Sequence, residues 1–136
     1  MPDPVRVHPS TSFILSMNLP PATFRIFVHD LAVARTFYQD TIGWHLSSRT
    51  DDWLYFTPGT ISIVVEIAAP ESQLIGRFTG LSLHTLNIQT DYDELRQQGV
   101  EFTSPPTRKP WGGTLADFKD PAGNVLTLFE RESKKI

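Results

Sequence analysis

The segment from Trp111 to Glu130 constrains the fold more than any other part of the chain, because it predicts a β-hairpin with a defined turn. The sequence Asp120-Pro121-Ala122-Gly123 places Asp, Pro and Gly at the positions that a type I turn favours. Thr114 to Phe118 precedes this turn, and Val125 to Phe129 follows it with the β-branched and aromatic residues typical of strands. The second strand is apolar enough to be buried on both faces.

The first half of the chain predicts one strand, one helix and then three strands. The helix begins after Asp30, a good N-cap residue, and ends at Gly43. The predicted strands are Phe24–Val28, Trp44–Ser48, Trp53–Thr57 and Thr60–Ala68. The order of elements is therefore β-α-β-β-β.

The second half repeats this order. A strand is predicted from Leu81 to Gln89, and Asp91 and Glu94 have the spacing of a capping box for a short helix that ends at Gly99. The remaining elements are a strand Val100–Thr103, a loop Pro105–Pro110 and the hairpin. Because each half alone has too little core, the two units are expected to pack together.

The length of 136 residues, 40% of them hydrophobic, suits one domain built from two fused units. We expect an N-terminal arm over residues 1–20, with one added strand around Ser12 to Met17, and a single domain over 21–136. Within that domain the boundaries are a first unit 21–70, a linker 71–80, a second unit 81–130 and a tail 131–136.

Charge and composition exclude several classes of function. A net charge of -3 leaves no basic field for nucleic acid, and the absence of cysteine removes disulfides and thiolate metal sites. The run Phe13 to Met17 is too short for a signal core or a membrane span. We therefore expect a soluble cytoplasmic protein with a small-molecule ligand, and neither a nucleic acid nor a membrane as its partner.

Several motifs occur in the order found in one known superfamily. Val28-His29-Asp30-Leu31, Phe37-Tyr38 and Ile42-Gly43-Trp44 mark the first helix, and Lys109 to Glu130 marks the closing hairpin. Together they resemble the vicinal oxygen chelate superfamily, which includes glyoxalase I, bleomycin-resistance proteins and extradiol dioxygenases. The resemblance implies an α+β fold in which two tandem βαβββ units form a curved mixed sheet around a cleft, with helices on the outer face. It also implies a homodimer.

The same resemblance points to four positions where metal-dependent members place ligands, and these fall on Thr23, Glu66, His84 and Thr127. Threonine is not a competent ligand for a tightly held divalent ion, so a full metal set is not expected. No cofactor is therefore predicted. The alternative is a divalent Zn, Fe, Ni or Mn ion held by Glu66 and His84.

The roles of Glu66 and His84 stay open from the sequence. Glu66 is interpreted as a metal ligand, as a general base with a burial-raised pKa, or as a solvated residue at a strand end. His84 reaches the site only if four residues, rather than three, are missing from the second helix. With three missing, strand alternation brings Leu83 there instead.

Aromatic and hydroxyl side chains are the candidates for lining the cleft. Trp111 lies in a loop beside two glycines, where a ligand can approach the backbone. Core packing explains the other aromatic residues equally well. The predicted ligand-binding residues are Thr23, Trp53, Tyr55, Trp111, Thr127 and Phe129.

The function predicted first is binding of a small organic molecule in the cleft, without a tightly bound catalytic metal. The alternative is a metal-dependent lyase or dioxygenase of the glyoxalase type, with Glu66 and His84 as the catalytic residues. A third hypothesis is an interaction module that uses the arm and the tail. Hydrolase chemistry lacks support, since no nucleophile motif is present.

Overall fold

A computed structural model describes residues 16–133 of the chain. The strand predicted around Ser12 to Met17 lies largely outside this range, and residues 16–20 have no regular secondary structure. Most of the predicted arm, and the last three residues of the tail, therefore lie outside the described residues.

Within this range, strands and helices alternate as two similar units. The first contains β1 (Thr23–Val28), α1 (Leu31–Arg35, continued by a π-helical segment Thr36–Thr41), β2 (Leu46–Arg49), β3 (Trp53–Phe56) and β4 (Ser62–Ile67). The second contains β5 (Phe78–His84), α2 (Ile88–Gln97), β6 (Glu101–Phe102), β7 (Thr107–Arg108), β8 (Thr114–Lys119) and β9 (Val125–Glu130). β5 thus begins inside the predicted linker, and β7 is a short strand within the predicted loop.

Each unit forms its own sheet with the same strand order. The N-terminal sheet has the order β1-β4-β3-β2, and the C-terminal sheet has the order β5-β9-β8-β6 with β7 paired to β8. In each sheet the first strand lies parallel to the last, while the other pairs are antiparallel. The predicted α+β class and the doubled βαβββ unit are confirmed.

The closing hairpin has the predicted turn. Gly123 donates its backbone N–H to the Asp120 carbonyl at 2.9 Å, which closes the four-residue turn. The Asp120 carboxylate also accepts from the backbone N–H groups of Ala122 at 3.0 Å and Asn124 at 2.8 Å. Because a carboxylate satisfies these donors, the turn keeps its shape although Asp120 itself is buried.

The first helix begins as predicted but widens after five residues. The Asp30 side chain accepts from the Val33 N–H at 3.1 Å, and the later bond from Ile42 N–H to the Phe37 carbonyl at 2.9 Å is of the i→i−5 type. This wide turn accommodates the fully buried Tyr38, whose ring stacks on Trp44 with centroids 5.0 Å apart.

The second helix begins earlier than predicted, so the prediction of a strand reaching Gln89 was wrong. Asn87, not Asp91, is the N-cap, and its side chain accepts from the Thr90 N–H at 3.1 Å. The Thr85 hydroxyl donates to Asp91 and accepts from the Asn87 N–H at 3.1 Å. The last bond of the strand ladder runs from the Thr85 N–H to the Phe129 carbonyl at 2.9 Å, and the local bonds replace the ladder after it. The apolar run up to Ile88 therefore belongs to two elements.

The two units share one hydrophobic core. Both helices pack on the same side as the buried residues of both sheets, and Phe37 of the first unit contacts Phe118 of the second with ring centroids 6.4 Å apart. Tyr38 donates its hydroxyl hydrogen bond to Asp120 at 2.7 Å, and Asn124 donates to the Phe27 carbonyl at 2.8 Å. One face of each sheet is therefore committed to the core, and no helix of the described residues packs on the other.

Candidate ligand-binding site

The exposed face of the N-terminal sheet is an aromatic surface with one ion pair. Its side chains alternate with core residues along the strands, so that Tyr55, for example, is half-buried next to the fully buried Phe56. We call this surface the N-terminal open face. Its residues on β1, β3 and β4 are Arg25, Phe27, Trp53, Tyr55, Val64 and Glu66.

The strand register places Glu66 between two aromatic side chains. Phe27 of β1 and Trp53 of β3 are its partners on either side. Thr23, by contrast, is paired with Ser62, four residues earlier on β4, a separation of about 13 Å along the strand. The structure therefore does not bring Thr23 and Glu66 together, although the sequence-based assignment placed both at one site.

Arg25 forms an ion pair with Glu66 that the sequence analysis missed. Its Nη2 donates to Glu66 Oε1 at 3.0 Å and its Nε donates to Oε2, which is a two-point contact. The hydrogen bond from Arg25 lowers the pKa of Glu66. This direction is opposite to that required by the hypothesis of a general base with a raised pKa.

The exposed face of the C-terminal sheet carries a different set of side chains. Leu83 packs against the core, whereas His84 is exposed on the opposite side of the strand. His84, and not Leu83, is therefore the residue that this surface displays. We call the surface the C-terminal open face. Its residues on β5, β8 and β9 are Ser82, His84, Leu115, Asp117, Thr127 and Phe129.

The polar groups of this face form a local hydrogen bond. Thr127, only 4% exposed, donates its hydroxyl hydrogen to Asp117 Oδ1 at 2.6 Å. His84 is paired in register with Phe129, and their ring centroids lie 6.4 Å apart. The Thr127 hydroxyl is thus used in a hydrogen bond within the sheet. His84 and Phe129 are the side chains that a ligand can contact.

Trp111 covers the end of the C-terminal open face. Its ring centroid lies 6.0 Å from that of Phe129, and the residue is 63% exposed. Gly113 permits this arrangement, because a Cβ atom there would overlap the Trp111 ring and lie 2.8 Å from Phe129 Cε1. The indole ring is consequently held at the sheet surface with most of its area accessible.

The two metal donors predicted from the sequence belong to different units of the fold. Glu66 and His84 lie on different sheets, and no hydrogen bond of residues 16–133 joins them. Over the same range, no three or more His, Asp or Glu side chains are grouped so that they could hold a metal ion. A centre with the three protein ligands usual at a catalytic metal is therefore not formed by such side chains within residues 16–133.

The helical side of the molecule has cavities of its own. A groove of about 650 Å³ runs between the first helix and the β6 region, with Val33, Phe37, Val100 and Lys119 among its walls. A second cavity of about 280 Å³ lies beside α2 and includes His84 and Leu83 in its lining. Apart from His84, none of the predicted site residues borders either cavity.

No helix among the described residues combines the length and the apolar character needed to cross a membrane.

Comparison with known proteins identifies the family. The family model described as the Glyoxalase/Bleomycin resistance protein/Dioxygenase superfamily matches residues 21–128. The uncharacterized protein YraH of Bacillus subtilis strain 168 is 26% identical over 121 residues, which are 78% of this chain and 94% of that protein.

Solved structures agree with this match. A superfamily member from Sphaerobacter thermophilus DSM 20745 is 30% identical with a TM-score of 0.69, over 85% of this chain and 100% of that one. TnmS3 from Streptomyces sp. CB03234, described as an antibiotic binding protein, is 29% identical with a TM-score of 0.73, over 86% of this chain and 100% of that one.

Proposed function

This chain belongs to the glyoxalase/bleomycin resistance protein/dioxygenase superfamily, and on that basis we propose that it binds a small, planar organic molecule without a resident catalytic metal. The ligand would contact the open faces of the two sheets. The observation that carries this proposal is the set of aromatic rings that these faces display, with no helix of residues 16–133 covering them: Phe27, Trp53, Tyr55, Trp111 and Phe129.

Aromatic rings on a rigid sheet suit a planar ligand for a physical reason. Trp53 and Tyr55 pack edge to face with centroids 6.3 Å apart, and both are half-buried, so little side-chain freedom remains to be lost on binding. The description of TnmS3 as an antibiotic binding protein supports the same class of activity for this chain.

The donor chemistry supports binding rather than metal-dependent turnover. Glu66 is neutralised by Arg25, and Thr127 donates to Asp117, so neither oxygen is presented to a cation in the way a metal centre needs. A lyase or dioxygenase mechanism through Glu66 would also require this carboxylate to be available as a base or a metal ligand, and Arg25 holds it in a two-point contact.

We also propose that the functional form is a homodimer. β1 and β5 are both edge strands, and the backbone groups of an unpaired edge favour pairing with another strand. Phe78 on β5 is 65% exposed and adds apolar area to that edge. Light scattering after size exclusion should give about twice the 15.3 kDa chain mass. A mass of one chain at all concentrations would contradict this arrangement.

The binding proposal is tested by titration of the full chain with two probes, bleomycin and the uncharged dye N-phenyl-1-naphthylamine. We expect saturable quenching of tryptophan fluorescence by the dye, unchanged by EDTA. Trp53→Ala and Trp111→Ala should each weaken dye binding about tenfold. The titration with bleomycin tests whether that antibiotic is itself a ligand.

The matched control is Val33→Asp, which places a charge in the groove on the helical side. It should leave dye binding unchanged. If only Val33→Asp weakens binding, the ligand site is that groove, and if the dye does not bind at all, the proposed function is wrong.

A further inference from the structure

Among the residues named for the N-terminal open face, Arg25 is the cation, and its contacts hold it in one orientation. Glu66 takes hydrogen bonds from Nε and Nη2, which form one edge of the guanidinium group. The Phe27 ring lies beneath the group, with Arg25 Cζ 5.1 Å from the ring centroid. The guanidinium plane is thus fixed by a carboxylate on one side and a ring below.

This arrangement leaves a second edge of the guanidinium group for another acceptor. Arginine has five N–H donors in a rigid plane, and a two-point contact with Glu66 uses two of them. No acceptor among residues 16–133 bonds to Nη1 of Arg25. The side chain is 58% exposed, so the edge formed by Nη1 and the second Nη2 hydrogen is accessible to a ligand.

The surroundings of Arg25 favour an aromatic ligand that carries an oxyanion. Val64 is its register partner, Tyr55 pairs with Val64 from the other side, and Trp53 lies beside Glu66. A planar molecule stacked on these side chains excludes water from the guanidinium, which strengthens its attraction to an anionic oxygen. A carboxylate or sulfonate matches the two parallel N–H groups of the free edge.

A second arginine–glutamate pair shows that this geometry is not a general feature of the surface. Arg108 contacts Glu132 through one nitrogen at 2.8 Å, and the two side chains are 65% and 49% exposed. Among the described residues, no aromatic ring lies under Arg108 as Phe27 lies under Arg25. Arg25 is the more firmly oriented of the two.

From this geometry we propose that Arg25, oriented by Glu66 and Phe27, is the specificity residue of the N-terminal open face and selects planar aromatic ligands that bear an oxyanion. The inference rests on the proposed function, since it names the class of ligand for the same surface. Arg25 supplies a fixed positive charge beside Glu66, the carboxylate that the superfamily resemblance assigns as a metal ligand.

The experiment uses two related dyes that differ in charge. The probes are 8-anilinonaphthalene-1-sulfonate, which is anionic, and N-phenyl-1-naphthylamine, which is neutral, each titrated into the full chain by fluorescence. Arg25→Met keeps the length of the apolar stem and removes the charge. It should weaken the anionic dye about tenfold and change the neutral dye less than about twofold.

Two further variants separate attraction by Arg25 from repulsion by an unpaired Glu66. Glu66→Gln keeps the shape of the partner but removes its charge, and it should tighten the anionic dye a few-fold. The double variant Arg25→Met/Glu66→Gln should bind the anionic dye as weakly as Arg25→Met. Restored binding in the double variant would mean that repulsion caused the loss, and it would overturn the proposal.

The control is Arg96→Met on α2, because Arg96 also lies over a ring, with Cζ 5.1 Å from the Tyr92 centroid. It should change neither dye. Equal weakening of both dyes by Arg25→Met, or no weakening of either, overturns the role of charge and leaves the binding function standing. Failure of the original chain to bind either dye overturns both.

Discussion

The N-terminal and C-terminal open faces have the same strand order and carry different chemistry. In the first, Glu66 is held by a cation on the neighbouring strand, and in the second, Thr127 is held by Asp117 across the hairpin. Both residues occupy positions where the resemblance places metal ligands. The comparison shows that each unit has satisfied its polar group within the sheet, Glu66 by an ion pair with Arg25 and Thr127 by donating a hydrogen bond to the Asp117 carboxylate.

The two faces also differ in how their aromatic side chains are held. Trp53 and Tyr55 project from β3, a strand that is paired on both sides, whereas Trp111 comes from a loop and lies over a glycine. The N-terminal face is therefore a rigid platform with a charge, and the C-terminal face has an aromatic side chain whose position depends on loop shape. A planar ligand would be oriented by the first and covered by the second.

The largest loss of stability is expected at the contact between the two units. It tests whether the two sheets unfold as one cooperative structure. Tyr38→Phe removes the donor to the buried Asp120 carboxylate and should lower the free energy of unfolding by about 2 kcal/mol. Urea denaturation measures this loss. Tyr55→Phe is the control, because its hydroxyl bonds to no residue in 16–133; equal losses in both variants would contradict a joining role for Tyr38.

A second substitution tests whether Trp111, which comes from a loop, contacts the ligand as the strand residues of the N-terminal open face are proposed to do. Gly113→Ala introduces a Cβ that overlaps the Trp111 ring, so the indole must leave the sheet surface. We expect about tenfold weaker binding of N-phenyl-1-naphthylamine, with the ratio of the two dye affinities unchanged. Gly59→Ala is the control, since a Cβ there meets no atom within 4 Å. Unchanged binding in Gly113→Ala would show that Trp111 does not contact the ligand.

A smaller effect is expected at Thr127, where the hydroxyl bond is internal to the C-terminal sheet. Thr127→Val keeps the volume of the side chain and removes the donor to Asp117, so the free energy of unfolding should fall by about 1 kcal/mol. Ser82→Ala, on the paired strand, provides the control in the same thermal or urea measurement. A stabilised Thr127→Val variant would show that this hydrogen bond does not favour the folded state.

The smallest effect concerns alkaline pH. Burial, with the charge of Asp120, raises the pKa of Tyr38 well above its usual range. Unfolded tyrosine loses its proton near pH 10 while the folded residue keeps it, so stability falls as the pH rises above about 10. Tyr38→Phe should lose less stability than the original chain between about pH 9 and about pH 10.5. Urea denaturation of both proteins at the two pH values measures the change in the free energy of unfolding. An equal change in Tyr38→Phe and in the original chain would contradict the prediction.

Local sequence chemistry was sufficient for most of the fold. The Asp120-Pro121-Ala122-Gly123 turn and the Asp30 cap depend on residues a few positions apart, and both are found as predicted. The start of α2 was missed because Asn87 and Asp91 are both good caps, and the apolar residues before them also suit a strand. Only the bonds around Thr85 decide between the two.

The site could be predicted only in part, since its contacts join distant residues. Arg25 and Glu66 are 41 positions apart, and their contact requires the parallel register of β1 with β4, which no local pattern reveals. The choice between Leu83 and His84 likewise depended on which side of β5 faces the core. The one available signal for Arg25 was that it alternates with Ile26 and so shares a face with Phe27.

The separation of strands into a core side and an open side has a consequence for which substitutions this protein can accept during evolution. Phe56 is fully buried while its neighbour Tyr55 projects from the opposite side, and β1, β4 and β8 repeat this division. If the proposed function holds, replacement of Trp53 or Tyr55 would alter ligand recognition while the buried side chains of the same strand keep their packing. New ligand preferences can therefore accumulate by single substitutions without an intermediate that fails to fold.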